Sequence, residues 1–214
     1  AYNEERFIGG LIDELRPLGL DILVVDDGSR DKTAAVAKKK GAIVLVVGAN
    51  RGKGAALKRG FEYALRHNYA RIITMDGDGQ HSPGSIREFI ALADKTQADI
   101  VIGNRMSQTR GMPRVRILTN LFMSRIISFL SGQNIPDTQC GFRLIRRRVL
   151  EDVHLMGSRY DMESEILIKA AQRGYRIESL AVPTIYQGSD SRIHPILDTL
   201  RFVRVYLRLL FMRY

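Results

Sequence analysis

"VVDDGSRDKT", residues 24–33, closes an apolar run with two adjacent carboxylates, a glycine and a further acid. Residues 22–25 read as a buried strand, so Asp26 and Asp27 fall where that strand leaves the core. Open α/β sheets keep their ligands at such strand ends. The same arrangement recurs downstream. A strand over 71–75 runs into "DGDGQHSP", residues 76–83, which sets two more carboxylates one residue apart on a loop that glycines leave free to bend.

Between and around these stretches the apolar spacing alternates. Helices are predicted over 6–15, 33–40, 55–67 and from about Pro83, and strands over 22–25, 42–47, 71–75 and 100–103. That order predicts an α/β domain with a largely parallel sheet covered by helices. Beyond Gly103 a basic loop, "NRMSQTRGMPRVR", leads to an apolar helix over 117–130, a short strand over 141–145 and a helix over 162–173. Strands over 176–182 and 184–186 flank Pro183. Residues 1–194 read as one domain, and residues 195–214 as a basic amphipathic helix on which Arg201, Arg204 and Arg208 share a face. Such a helix suits either the surface of an anionic membrane or core packing with a solvated basic side.

The 214 residues, 45% of them apolar, suffice for one substantial core. Lysine and arginine number 33 against 23 acids, a formal +10 that suits nucleic acid, an anionic membrane or phosphorylated substrates. Aromatics at 7% and the lack of a reading motif speak against nucleic acid. The single Cys140 cannot form an internal disulfide and fits a reducing compartment. The opening "AYNEE" has no leader-like apolar segment, and no apolar run approaches the roughly 18 residues of a spanning helix.

Asp76, Asp78 and Gln80 offer the oxygen donors that Mg²⁺ or Mn²⁺ takes; the ordinary alternative is an acidic turn that caps the next helix. "NRGKGAAL", residues 50–57, puts glycines and Lys53 before a helix, but Gly48 is one residue too close and Gly54 stands where a nucleotide-triphosphate loop needs a hydroxyl. Lys53 therefore reads as a diphosphate contact or a solvated loop cation. The histidines at 67, 81, 154 and 194 form no i, i+4 pair, which leaves zinc catalysis without support, and His81 reads as a packing or capping residue. No Gly-x-Ser-x-Gly elbow occurs.

Taken in order, "YNEE", "VVDDGSRDKT", "NRGKGAAL", "DGDGQHSP", "GNR" and "DTQCGFR" resemble the motifs of family 2 glycosyltransferases. More narrowly, they resemble the dolichyl-phosphate mannose synthase branch, which makes polyprenyl-phosphate sugars. The likeness is strong up to Arg143 and weaker beyond. It implies the GT-A fold, in which relatives carry a strand just before the Tyr-Asn-Glu stretch that is absent from this sequence. It also implies that Tyr2, Glu4 and Asp27, with Asp26 nearby, bind the nucleoside, and that Asp76 lies between ribose and metal. Asp78 and Gln80 would complete the metal site, while Arg105, Arg116 and Asn120 would bind the acceptor phosphate. Asp137 would stand near the reacting centre as a base, an orienting group or a turn former.

The activity so implied is metal-dependent, inverting transfer of a hexose from GDP-mannose to a polyprenyl or dolichyl phosphate. It would take place at the cytoplasmic face of a membrane, with the protein held peripherally on an anionic surface. The late loop "IYQGSDSRI" keeps Ser191 but has Arg192 where mannose synthases carry lysine, and an earlier arginine is replaced near Tyr186. UDP-glucose and UDP-N-acetylglucosamine therefore stand beside GDP-mannose as donors. The rival is a saccharide acceptor, whose hydroxyl would need Asp137 as its base.

Overall fold

A computed structural model describes residues 1–109, 111–155 and 161–183. The expected strand over 184–186, Ser191, Arg192 and the helix over 195–214 lie outside these residues. The first half alternates as the spacing predicts. Helix α1 (Ile8–Leu15) precedes β1 (Leu23–Asp26), and α2 (Thr33–Lys39) precedes β2 (Ile43–Val46). Helix α3 (Lys53–Arg66) then leads to β3 (Arg71–Thr74), and a 3-10 turn at Pro83–Ser85 opens α4 (Ile86–Thr96) before β4 (Ile100–Asn104). The second half holds α5 (Arg114–Ser131), β5 (Arg143–Arg146), α6 (Arg147–Asp152), α7 (Asp161–Gln172) and β6 (Ile177–Ala181).

Strands β1 and β2 pair in parallel, Leu23 opposite Ile43. The other four stand in the order β3-β5-β4-β6. Here β5 is antiparallel to both its neighbours and β6 is parallel to β4, so three of the four strands run the same way. The reversed β5 enters the middle of the sheet because it is fully apolar in its centre: Leu144 and Ile145 are buried, as are Ile100, Val101 and Ile102 beside them. Phe89 of α4 stacks on Phe142 at 4.3 Å between ring centroids and covers one side of this core. A smaller core joins α1 and α2 to the first strand pair through Ile8, Ile12, Val24, Ala37 and Ala42.

This topology gathers the chemistry at one edge. The C-terminal ends of β1, β3 and β4 deliver Asp26, Asp76 and Arg105, and the antiparallel β5 delivers to the same edge the residues at its start. Thr74 makes the junction by donating its hydroxyl to the Gly141 carbonyl at 2.8 Å. Ala1 lies beside the end of β1, its amine donating to the Val25 carbonyl at 2.8 Å and its carbonyl accepting from the Asp27 N–H at 2.9 Å.

Candidate active site

The opening segment is laced to the loop after β1. The Asn3 and Glu4 N–H groups donate to the hydroxyls of Ser29 and Thr33, and the Asn3 side-chain oxygen accepts from the Arg30 N–H. Asn3 adopts a left-handed φ of 56°, which its short polar side chain tolerates. Tyr2 and Glu4 thus belong to a segment tied to the Asp27 N–H through the Ala1 carbonyl and to the following loop through Ser29 and Thr33. Both aspartates are buried and already hydrogen-bonded. Asp26 accepts from the Ser29 N–H and hydroxyl, while Asp27 accepts from the Arg51 and Gly52 N–H groups at 3.0 and 2.8 Å.

A carboxylate on the N–H groups that lead into a helix also complements its dipole. Asp27 thus explains why α3 begins at Lys53, two residues ahead of the sequence expectation. Gly28, at φ +76°, lets the two loops meet: a Cβ there would lie 2.9 Å from the Ala49 carbonyl carbon and the Asn50 nitrogen.

Lys53 points from the first turn of α3 into the site. Its ammonium lies 2.6 Å from Asp76 Oδ1 and 3.2 Å from Glu163 Oε1. Burial opposes the charge on each partner, but mutual attraction prevails: the Asp76 carboxyl is held below the usual range by Lys53 and the nearby Arg105, and Lys53 is held above its own. The diphosphate reading of Lys53 therefore starts from a lysine engaged with two carboxylates rather than a solvated one. Gly141 closes over this pair, since a Cβ there would sit 2.5 Å from Asp76 Oδ2 and 2.7 Å from the lysine nitrogen.

His81 packs as the sequence suggests, buried and tilted against Phe142 at 5.4 Å. Burial drives its pKa down to about 4, so the ring is neutral at physiological pH, with Nε2 3.9 Å from Asp76.

Asp78 and Gln80 follow on the same loop, half-buried, with the Gln80 N–H donating to Asp78 Oδ1 at 3.0 Å. Burial raises the Asp78 pKa, and the like charge of Asp76 adds to the effect. A cation between the two would relieve both penalties, so the donor set fits a hard divalent ion. Among the described residues no three His, Cys, Asp or Glu side chains gather into a metal cluster. Mg²⁺-type sites use one or two carboxylates and complete their shell with water and substrate phosphates.

Arg105, directly after β4, forms a fork with Asp137: Nε donates to Oδ2 at 2.8 Å and Nη2 to Oδ1 at 3.0 Å. The Arg105 N–H, the Asn120 amide and the Gln139 N–H donate to the same carboxylate. Burial works against the charge of Asp137, but these donors outweigh it and lower its pKa. Asn120, buried on α5, also accepts from the Ser124 hydroxyl. The structure therefore sets Asn120 behind Arg105, as a support for Asp137, while Arg116 lies one turn earlier on α5 and is half-buried.

Sequence reasoning missed Glu163 and Arg143. Both are buried, and Arg143 donates to the carbonyls of Cys140, Thr138 and Glu163. Their signal is charge inside apolar segments, "FRLI" and "MESEILI", where an unpaired charge would be very costly.

The profile of Glycosyl transferase family 2 matches residues 1–154. The polyprenol monophosphomannose synthase of Mycolicibacterium smegmatis is 31% identical over 197 residues, covering 85% of this chain and 74% of its own. The dolichyl-phosphate hexose transferase of Haloferax volcanii is 29% identical over 198 residues, covering 91% and 84%. Among solved structures, glucosyl-3-phosphoglycerate synthase of Mycobacterium tuberculosis, crystallised with Mn²⁺, UDP-glucose and phosphoglyceric acid, superposes with a TM-score of 0.70 at 24% identity, over 94% of this chain and 71% of its own. The chain belongs to glycosyl transferase family 2 and is a glycosyltransferase with the GT-A fold.

Proposed function

We propose that this protein transfers a hexose from a nucleotide sugar, GDP-mannose in the first instance, to a polyprenyl or dolichyl phosphate, with inversion at the anomeric carbon. The observation that carries the reading is the state of Asp137: every donor around it stabilises its charged form, which suits a holder of Arg105 and not a base. A saccharide hydroxyl needs a base, whereas a phosphate monoester, with a second pKa of about 6, is largely dianionic at neutral pH. The names of two relatives, a polyprenol monophosphomannose synthase and a dolichyl-phosphate hexose transferase, support the same acceptor class.

In this mechanism an acceptor phosphate oxygen attacks the anomeric carbon as the bond to the nucleoside diphosphate breaks. The diphosphate leaves with the bonding electrons, the acceptor becomes a diester, and no proton need be removed. Arg105, pre-oriented by Asp137, offers the planar donor geometry that phosphate prefers. Asp26 and Asp27 order the loops around the nucleoside, and Lys53 stands beside the diphosphate. Asp76, Asp78 and Gln80 would hold a Mg²⁺ or Mn²⁺ ion, which as a Lewis acid offsets the charge developing on the leaving group.

The outer face of α5 supports approach of a lipid substrate. Val115, Leu118, Phe122 and Phe129 are exposed at helical spacing, with Arg114 and Arg125 among them, while Asn120 on the inner face braces Asp137. Among the described residues no helix is long and apolar enough to cross a membrane. The exposed apolar and basic side chains of α5 are what support contact with the surface of an anionic, cytoplasm-facing membrane in this reading.

The test is nucleoside-diphosphate release from GDP-mannose, UDP-glucose and UDP-N-acetylglucosamine, each with and without polyprenyl phosphate. Release from GDP-mannose that depends on the lipid is expected. Release that depends instead on a sugar acceptor would overturn the reading.

A further inference from the structure

Lys53 lies between two carboxylates that differ in kind. Asp76, on the loop after β3, is 31% exposed in its side chain and open to the site. Glu163, on α7, is buried and fixed. Arg143 Nη1 donates to the Glu163 carbonyl at 2.5 Å, and its Nη2 lies 3.9 Å from the Glu163 carboxylate. Arg143 is itself anchored by the Cys140 and Thr138 carbonyls, so Glu163 is attached to the sheet through β5. Gly141 leaves no room for Lys53 to retreat on its own side.

An ammonium with a single counter-charge in such a place stays on it, because leaving would strand a desolvated charge. A second counter-charge at 3.2 Å changes this. Lys53 can release Asp76 and remain paired, and Asp76 is then free for another cation.

We propose that Glu163 is a positioning residue that gives Lys53 a second seat, so that a divalent cation can displace it from Asp76. The inference rests on the reading of Asp76 and Asp78 as metal-holding residues. It does not make Glu163 a ligand: Glu163 acts through Lys53, by deciding how strongly the lysine competes for Asp76. Without Glu163, Lys53 remains on Asp76 and the ion must compete with it.

The test is direct Mn²⁺ binding to the full chain, read from the electron paramagnetic resonance signal of the free ion. It is done with GDP or UDP present and against protein-free blanks, for wild type, Glu163→Gln, Lys53→Gln and the double variant. Glu163→Gln is expected to weaken Mn²⁺ binding about tenfold, the lower end of what one charge at this range does to an ionic equilibrium. In the Lys53→Gln background the same change is expected to do nothing.

Unchanged Mn²⁺ binding by Glu163→Gln would overturn the inference. So would equal weakening in both backgrounds, since Glu163 would then act by its own charge; either result leaves the metal reading standing. No saturable Mn²⁺ binding by the wild type would overturn the metal reading and the inference with it. Thermal melts establish that each variant folds. Glu163→Asp, which keeps the charge and shortens its reach, takes the place of Glu163→Gln if that variant does not fold, with the same dependence on Lys53 required.

Discussion

At the scale of the residue, Asp137 shows how much a neighbourhood decides about a carboxylate. Its side chain is fully buried and its two oxygens accept five hydrogen bonds, three of them from Arg105. Replacing it with asparagine removes the counter-charge of Arg105 and turns an amide toward donors, so Asp137→Asn should cost about 3 kcal/mol or more of stability at neutral pH. The sign of the pH dependence follows from a pKa that is lower in the folded protein than in the unfolded chain. The contribution is fully present above the unfolded value of about 3.9 and is lost as the pH falls through the folded value. Melting curves of wild type and Asp137→Asn should therefore lie farthest apart near neutrality and converge in acid. A gap that widens in acid would contradict this account. From sequence alone Asp137 could be a base, an orienting group or a turn former, because its partners come from the end of β4 and from α5, 32 and 17 residues away.

At the scale of the element, the first half of the molecule was legible because its order is local. Each strand of about four residues ends in a polar turn, and each helix carries its own apolar spacing, so the predicted boundaries of β1, β2 and β3 fall within a residue or two of the structure. The reversed direction of β5 was not legible, since strand direction depends on how far α5 carries the chain back, and α6 is too short to show a period. Yet β5 is what brings Gly141 against Asp76 and Lys53. Gly141→Ala should displace that ion pair and lower turnover by tenfold or more, on the order of what an ångström of misplacement costs an active site. The melting temperature should change little, as the obstructed atoms are ends of flexible side chains. Unaltered turnover in Gly141→Ala would show that the pair need not sit where it does. On α5, Leu118→Asp together with Phe122→Asp should reduce sedimentation with anionic phospholipid vesicles without lowering thermal stability, because both side chains are exposed. Unchanged vesicle binding by the double variant would remove α5 from the membrane account.

At the scale of the whole molecule, two parallel strands and a four-stranded mixed sheet place their functional residues on one edge. In the proposed reaction the nucleoside would meet β1 and the opening segment, the cation and diphosphate β3 and α3, and the acceptor β4 and α5. The resemblance in the sequence implies this division from the order of its motifs, and the structure gathers Asp27, Lys53, Asp76, Arg105 and Asp137 from those motifs at one edge. It did not anticipate that charges from β5 and α7, Arg143 and Glu163, underpin the middle of the site: Arg143 closes the "DTQCGFR" motif with no role assigned to it, and Glu163 lies where the likeness is weaker. The central claim is that the assembled edge moves a hexose onto a lipid phosphate with the help of a divalent ion. The most direct test is transfer of radiolabelled mannose from GDP-mannose into the organic phase, measured with and without polyprenyl phosphate, with and without EDTA, and for Asp78→Ala. The account predicts label in the lipid fraction only when polyprenyl phosphate and the metal are both present, and none with Asp78→Ala. Lipid labelling that survives EDTA, or that Asp78→Ala supports at the wild-type rate, would contradict it.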